Sequence, residues 1–241
     1  MRSLHPRIGL ESLCFDGVVF DLDATLVNLG EHVDWRRAQE EVVKIYLTCG
    51  YGEEELKQRG TRGLFDLLNV VHEELATRRP KDEATKIQGK AFDVIEAYEM
   101  RGVEACGLMP RCLDALNWLR KRSIFMGVCT SNSIVAAEKI LDSCGLASYF
   151  SSVVGRSIDL KMKPNPDQIE VCLRKMGVEP RRAVTVGDSH NDVLAGKAAG
   201  TFTVAIPVYF TRSEALNAAK PDAVIKSLHE LPRALLGLPS R

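Results

Sequence analysis

Short apolar runs rich in β-branched residues recur along the chain, and each stops at a polar position. Val18-Val19-Phe20 stops at Asp21. Ile124-Phe125-Met126-Gly127-Val128-Cys129 stops at Thr130, and Ala183-Val184-Thr185-Val186 stops at Gly187-Asp188. Phe202-Thr203-Val204-Ala205-Ile206 is closed by Pro207, and Ser152-Val153-Val154 and Ala223-Val224-Ile225 are weaker runs of the same kind. Unbroken apolar runs of this length read as strands buried on both faces. Between them lie helical patterns: Arg111 to Lys121, Ser133 to Cys144 before Gly145, Pro166 to Met176 before Gly177, and Asp192 to Ala199 before Gly200. A proline early in a helix and a glycine just past its end are the expected start and stop signals. Strand and helix in alternation predict an α/β fold, a Rossmann-like parallel sheet with helices on both faces. Ligands of such sheets gather at the carboxyl ends of the strands.

The alternation breaks between residues 28 and 105. Trp35, Ala38, Val42, Ile45 and Tyr46 follow helical spacing, as do Leu64, Leu67, Leu68, Val71 and Leu75, and Ala84 to Met100 is a third helix candidate. Gly50-Tyr51-Gly52 and Arg78-Arg79-Pro80 read as turns. The expected organisation is an α/β core of residues 1–27 and 106–241, with an all-helical insert of residues 28–105.

Composition narrows the class. Lys plus Arg and Asp plus Glu each number 32, so the net charge is zero and no general attraction to nucleic acid or anionic lipid is expected. Met1 to Gly17 holds no long apolar run before a small-residue cleavage site, and no stretch reaches the ~20 apolar residues of a membrane span. The expectation is a cytoplasmic protein, a monomer or homodimer. Its seven cysteines are scattered with no Cys-x-x-Cys pair. That suits free buried thiols better than disulfides or a zinc site.

Chemistry concentrates at the strand ends. Asp21 and Asp23 are two residues apart, so an extended chain turns both carboxylates to one side. Gly187-Asp188-Ser189-His190-Asn191-Asp192 repeats the theme with two more carboxylates. Four acids at neighbouring strand ends would repel without a cation, and magnesium is the usual hard ion beside phosphates. Thr130-Ser131-Asn132 offers hydroxyls and N–H groups where a helix opens, suited to phosphate oxygens or to capping alone. Lys163, in Lys163-Pro164-Asn165-Pro166, is a positive charge on a stiffened segment. Trp35, Trp118 and Cys129 read as packing residues, and His190 as facing solvent or a neighbouring loop.

Taken in order, Asp-x-Asp-x-Thr, a Thr at the next strand end, Lys-Pro and Gly-Asp-x-x-x-Asp resemble the haloacid dehalogenase superfamily. The helical insert resembles the cap of its phosphoglycolate phosphatase and β-phosphoglucomutase branch. Ala24 stands where that branch usually has glycine, and Asn28-Leu29 where Asp-Ser is frequent. The resemblance implies Asp21 as nucleophile and Asp23 as general acid and base. It implies magnesium held by Asp21, the Asp23 carbonyl and Asp188, with Asp192 in support. Thr130, Ser131, Asn132 and Lys163 would hold the phosphoryl group. Asp23 favours phosphoryl transfer over dehalogenation. Arg62, flanked by Gly60 and Gly63, is the candidate cap residue toward a small phosphorylated substrate. The implied activity is a magnesium-dependent phosphatase. The alternatives are an intramolecular phosphotransferase and a non-catalytic binding protein on the same fold.

Overall fold

The computed structural model describes residues 14–208 and 213–239. Among them, β1 (Gly17–Phe20), β2 (Phe125–Ser133), β3 (Ser152–Arg156), β4 (Ala183–Gly187), β5 (Phe202–Ala205) and β6 (Ala223–Val224) form one parallel sheet in the order β3-β2-β1-β4-β5-β6. All residues of β1, β4 and β5 are buried, as their unbroken apolar runs require. β1 pairs with β2 on one side and β4 on the other, so the chain leaves β1 in opposite directions and opens a crevice at its carboxyl end.

The helices are α1 (Trp35–Thr48), α2 (Glu53–Arg59), α3 (Leu64–Arg78), α4 (Lys81–Gly102), α5 (Cys112–Arg120), α6 (Ile134–Ser143), α7 (Asp167–Met176), α8 (His190–Ala198), α9 (Ser213–Ala219) and α10 (Leu231–Gly237). Alternate residues of β1 point to opposite faces. Val19 packs with Ile169, Cys172 and Leu173 of α7 and Ala195 of α8. Val18 and Phe20 join Leu116 and Leu119 of α5, Ile140 of α6 and Leu231 of α10. No helix among the described residues is long and apolar enough to cross a membrane.

Helices α1 to α4 stand between β1 and α5. Ala38, Val42 and Tyr46 of α1 face Leu67, Leu68 and Val71 of α3 and Ala91 and Ile95 of α4, in one cluster with the sheet's second face. Tyr46 Oη donates to Gln88 Oε1 (3.0 Å), and Gln88 Nε2 donates to the Leu68 carbonyl (3.3 Å), so the buried amide joins three helices. The two chain crossings between these helices and the sheet are zipped together. Val27 bridges Leu108, and Asn28 Oδ1 accepts the Gly107 N–H at 2.7 Å.

Several boundaries differ from the sequence expectation. α2 has one buried side chain, Leu56, and so no apolar period to read. It is marked instead by Glu53, Glu54 and Glu55 at its start and Lys57 and Arg59 at its end, the sense its dipole favours. β2 runs on through Ser133, so Thr130-Ser131-Asn132 lies in the strand's extension and Ser133 caps α6 by accepting the Ala136 N–H. α8 opens at His190. Its N-cap is Ser189, and Asp192 is the third helical residue that completes the capping box.

Candidate active site

Asp21 is the first residue past β1, and its N–H donates to the Val186 carbonyl of β4 (2.8 Å). Asp188 is the first residue past β4. The parallel pairing of β1 with β4 therefore sets the two carboxylates side by side. Lys163 arrives from the loop between β3 and α7. Its Nζ donates to Asp21 Oδ1 and Asp192 Oδ1, both at 2.5 Å, and to the Cys129 carbonyl of β2 at 3.2 Å. Lys163, Asp21 and Asp192 are buried, with exposures of 6%, 8% and 2%.

Two carboxylates thus share one ammonium, with Asp188 close enough to feel both. Burial is the largest influence on Asp21 and raises its pKa to about 7, against the lowering pull of Lys163 and with the further push of Asp192. Asp188 is pushed well above the usual carboxylate range by burial, then by Asp192 and Asp21. Burial alone would lower the Lys163 ammonium, but Asp192 and Asp21 outweigh it and hold it well above its ordinary value. The pocket stabilises more positive charge than Lys163 brings.

Asp23 stands apart from this knot. Its Oδ1 accepts the Gly30 N–H at 2.8 Å, and burial raises it to about 6 against the N–H groups of Gly30 and Ala24. A carboxyl poised there can give and take a proton near neutrality. Among the described residues, no three His, Cys, Asp or Glu side chains converge on one ligation point. The sequence reading uses the Asp23 carbonyl and gives Asp192 a supporting place; here the Asp192 carboxylate is bonded to Lys163 and Ser189 and the Asp23 carboxylate to Gly30. Two carboxylates, a backbone carbonyl and water remain a donor set that fits magnesium, which keeps much of its hydration.

Gly187 serves this packing. An added Cβ would fall 2.3 Å from Asp192 Cγ, so glycine is needed for the close approach of Asp192, not for a left-handed turn. Thr130 Oγ1 donates to Asn132 Oδ1 (2.8 Å) and accepts the Asn132 N–H (3.1 Å). Above the strand ends lies a cleft of about 470 Å³, lined by Asp21, Asp23, Thr130, Ser131, Asn132, Lys163, Asp188 and Asp192 from below. Trp35, Arg36 and Gln39 of α1 and Gly63 to Asp66 at the start of α3 line it from above. Trp35 therefore reaches the cleft as well as packing edge-on to Phe65, 5.5 Å between ring centres. His190 also faces the cleft. Arg62 ends the 3₁₀ turn Gly60–Arg62 just before Gly63, and its side chain lies outside the described residues.

A family model for haloacid dehalogenase-like hydrolases matches residues 15–200. The chain belongs to this hydrolase family. Its relatives include the phosphoglycolate phosphatases of Escherichia coli (strain K12) and Salmonella typhimurium, each 31% identical over 92% of this chain and 93% of the relative. Among solved structures, a predicted phosphatase from Clostridium acetobutylicum superposes with a TM-score of 0.67 at 24% identity, over 93% of this hydrolase and 99% of that chain. CbbY from Rhodobacter sphaeroides, in complex with phosphate, gives 0.65 at 24% identity, over 93% and 100%.

Three buried residues behind the cleft of this hydrolase escaped the sequence reading. Glu99 of α4 pairs with Arg156 at the end of β3, and Gln168 of α7 donates to the carbonyls of Thr130 and Gly155, both at 2.9 Å. Glu99 does leave a trace in the sequence: it continues the buried stripe of Ala91 and Ile95 along α4. A charge on an apolar stripe signals a buried partner.

Proposed function

We propose that this chain, a phosphatase of the haloacid dehalogenase-like family, hydrolyses a small phosphomonoester by passing the phosphoryl group first to Asp21 and then to water. The observation that carries the reading is the buried meeting of Asp21, Asp192 and Lys163 at 2.5 Å contacts, beside Asp188 at the next strand end.

Asp21 attacks phosphorus as the bond to the leaving oxygen breaks, and Asp23 gives that oxygen its proton. Asp23 then takes a proton from water, whose oxygen attacks phosphorus and frees the Asp21 carboxylate. Lys163 and the Ser131 N–H hold the phosphoryl oxygens, together with Thr130 and Asn132, whose mutual hydrogen bonds keep them in the floor of the cleft. Magnesium, held by Asp21, the Asp23 carbonyl and Asp188, would supply the charge that lets an anion approach an anion. Residues 28–105 act as a cap that shields the cleft from bulk water, with Arg62 at its rim. The phosphoglycolate phosphatase relatives and the phosphate complex of CbbY support a small phosphorylated substrate of the phosphoglycolate or sugar-phosphate type.

The test is magnesium-dependent release of phosphate from p-nitrophenyl phosphate and from a panel that includes 2-phosphoglycolate and sugar phosphates. Asp21→Asn keeps the shape and removes the nucleophile, so kcat falls by about 10³-fold or more with an unchanged circular-dichroism spectrum. A folded Asp21→Asn protein that still turns over refutes the assignment.

A further inference from the structure

We propose that the buried Glu99–Arg156 pair positions the residues that hold the phosphoryl group, acting through Ser131, Asn132 and Ser133. The proposal rests on the phosphatase reading of the cleft above it. Glu99 and Arg156 side chains are 0% and 1% exposed, and they meet through two contacts, 2.9 Å from Nη1 to Oε1 and 3.1 Å from Nη2 to Oε2. The same groups grip three consecutive residues of the β2 extension. Arg156 Nη1 donates to the Ser131 carbonyl at 2.7 Å. Glu99 Oε1 accepts Asn132 Nδ2, and Oε2 accepts the Ser133 N–H, both at 3.0 Å.

Each bond constrains the next. A carboxylate can only accept, so the Asn132 amide must turn Nδ2 toward Glu99 and Oδ1 away from it. Oδ1 then receives the Thr130 hydroxyl, whose oxygen in turn accepts the Asn132 N–H. Glu99 therefore sets an amide orientation that in turn sets a hydroxyl lining the cleft. The arginine fork fixes the carboxylate in its plane, which a point charge would not do.

Stability alone does not account for such a pair. A buried ion pair is often matched or bettered by apolar side chains of similar volume. What apolar replacements cannot supply is an acceptor for Asn132 and Ser133 or a donor for Ser131. The pair also spans elements: Glu99 sits near the end of α4, which leads out of the helical segment, while Arg156 ends β3. A shift of α4 is thus felt at Asn132. Glu99 and Arg156 are positioning residues, since neither lines the cleft.

The test compares wild type with Glu99→Gln, Arg156→Lys and the apolar double variant Glu99→Leu/Arg156→Met. The readouts are kcat and KM on p-nitrophenyl phosphate with magnesium, inhibition by inorganic phosphate, and the thermal midpoint. Glu99→Gln and Arg156→Lys are expected to lose at least tenfold in kcat/KM and in phosphate affinity. The double variant is expected to recover a near wild-type midpoint without recovering either. Adding Asn132→Ala to Glu99→Gln should cause little further loss, because both act through one amide. A folded apolar double variant with wild-type kcat/KM overturns the proposal. If the double variant does not fold, wild-type kinetics and phosphate inhibition in Glu99→Gln overturn it equally. An inactive wild type overturns the phosphatase reading and the proposal with it, whereas active wild type with unaffected variants removes the proposal alone.

Discussion

Ala24 holds φ at +59°, a left-handed conformation that places Cβ against the following carbonyl and costs roughly 1–2 kcal/mol. The sequence shows an alanine where the family's branch usually has glycine, and the structure shows that the backbone keeps the glycine-like conformation. Ala24→Gly would relieve that strain but give up a buried methyl, worth about 0.8 kcal/mol, and free the unfolded chain by another 0.5–1 kcal/mol. The effects nearly cancel, so the expected change is within about 0.5 kcal/mol. Ala137→Gly, buried within α6 and free of strain, should cost about 1.5–2 kcal/mol. Urea denaturation of the two variants side by side checks the contrast; equal losses would remove the strain argument. At this scale the acidic residues were legible because apolar runs end on them. The role of Asn28 was not, since its amide oxygen accepts a hydrogen bond from Gly107, 79 positions away.

Helix α8 carries two functions in one turn. Ser189 Oγ accepts the Asp192 N–H and donates to Asp192 Oδ2, while Asp192 Oδ1 takes the Lys163 ammonium. The capping box thus doubles as the bracket for the lysine that meets Asp21. Ser189→Ala removes the cap and one of the bonds that orient Asp192. Loss of a serine N-cap costs about 1 kcal/mol, which lowers the thermal midpoint of a chain this size by about 2–4 °C. A fall in kcat/KM should accompany it, since Asp192 loses part of its anchor. Calorimetry with kinetics measures both, and a cap loss that leaves kcat/KM untouched would separate the bracket from the chemistry. Elements with an apolar period were readable from sequence: the strands, α1, α3 and α4. α2 was hidden because a surface helix with one buried side chain is stabilised by charges at its ends, which leave no periodic mark. Glu99 and Arg156 were hidden because the pairing joins positions 57 apart.

Over the whole molecule, the fold brings residues 21, 163, 188 and 192 into one buried pocket, and their charges do not balance there. That imbalance ties cation binding to protons. Asp21 is raised to about 7, chiefly by burial and in spite of the Lys163 charge beside it, and Asp188 is raised as well. A metal takes the ionised carboxylate, so protons held by these groups must leave as the ion binds. Below pH 7 most Asp21 carboxyls are protonated and oppose binding; above it most are ionised and favour it. For one group at about 7, the ionised share rises from roughly one tenth at pH 6 to roughly nine tenths at pH 8, so magnesium affinity should rise about tenfold. Titration in Asp188 adds to the same trend, because its shift has the same sign. Isothermal titration calorimetry at the two pH values gives the affinities, and repeating it in buffers of different ionisation heat counts the protons released. Asp21→Asn, which has no proton to release at that position, should remove the share that Asp21 contributes and leave that of Asp188. A wild-type affinity that stays constant from pH 6 to 8 would mean that the carboxylates are ionised before the cation arrives, and the charge imbalance would then have to be met by some other group in the pocket.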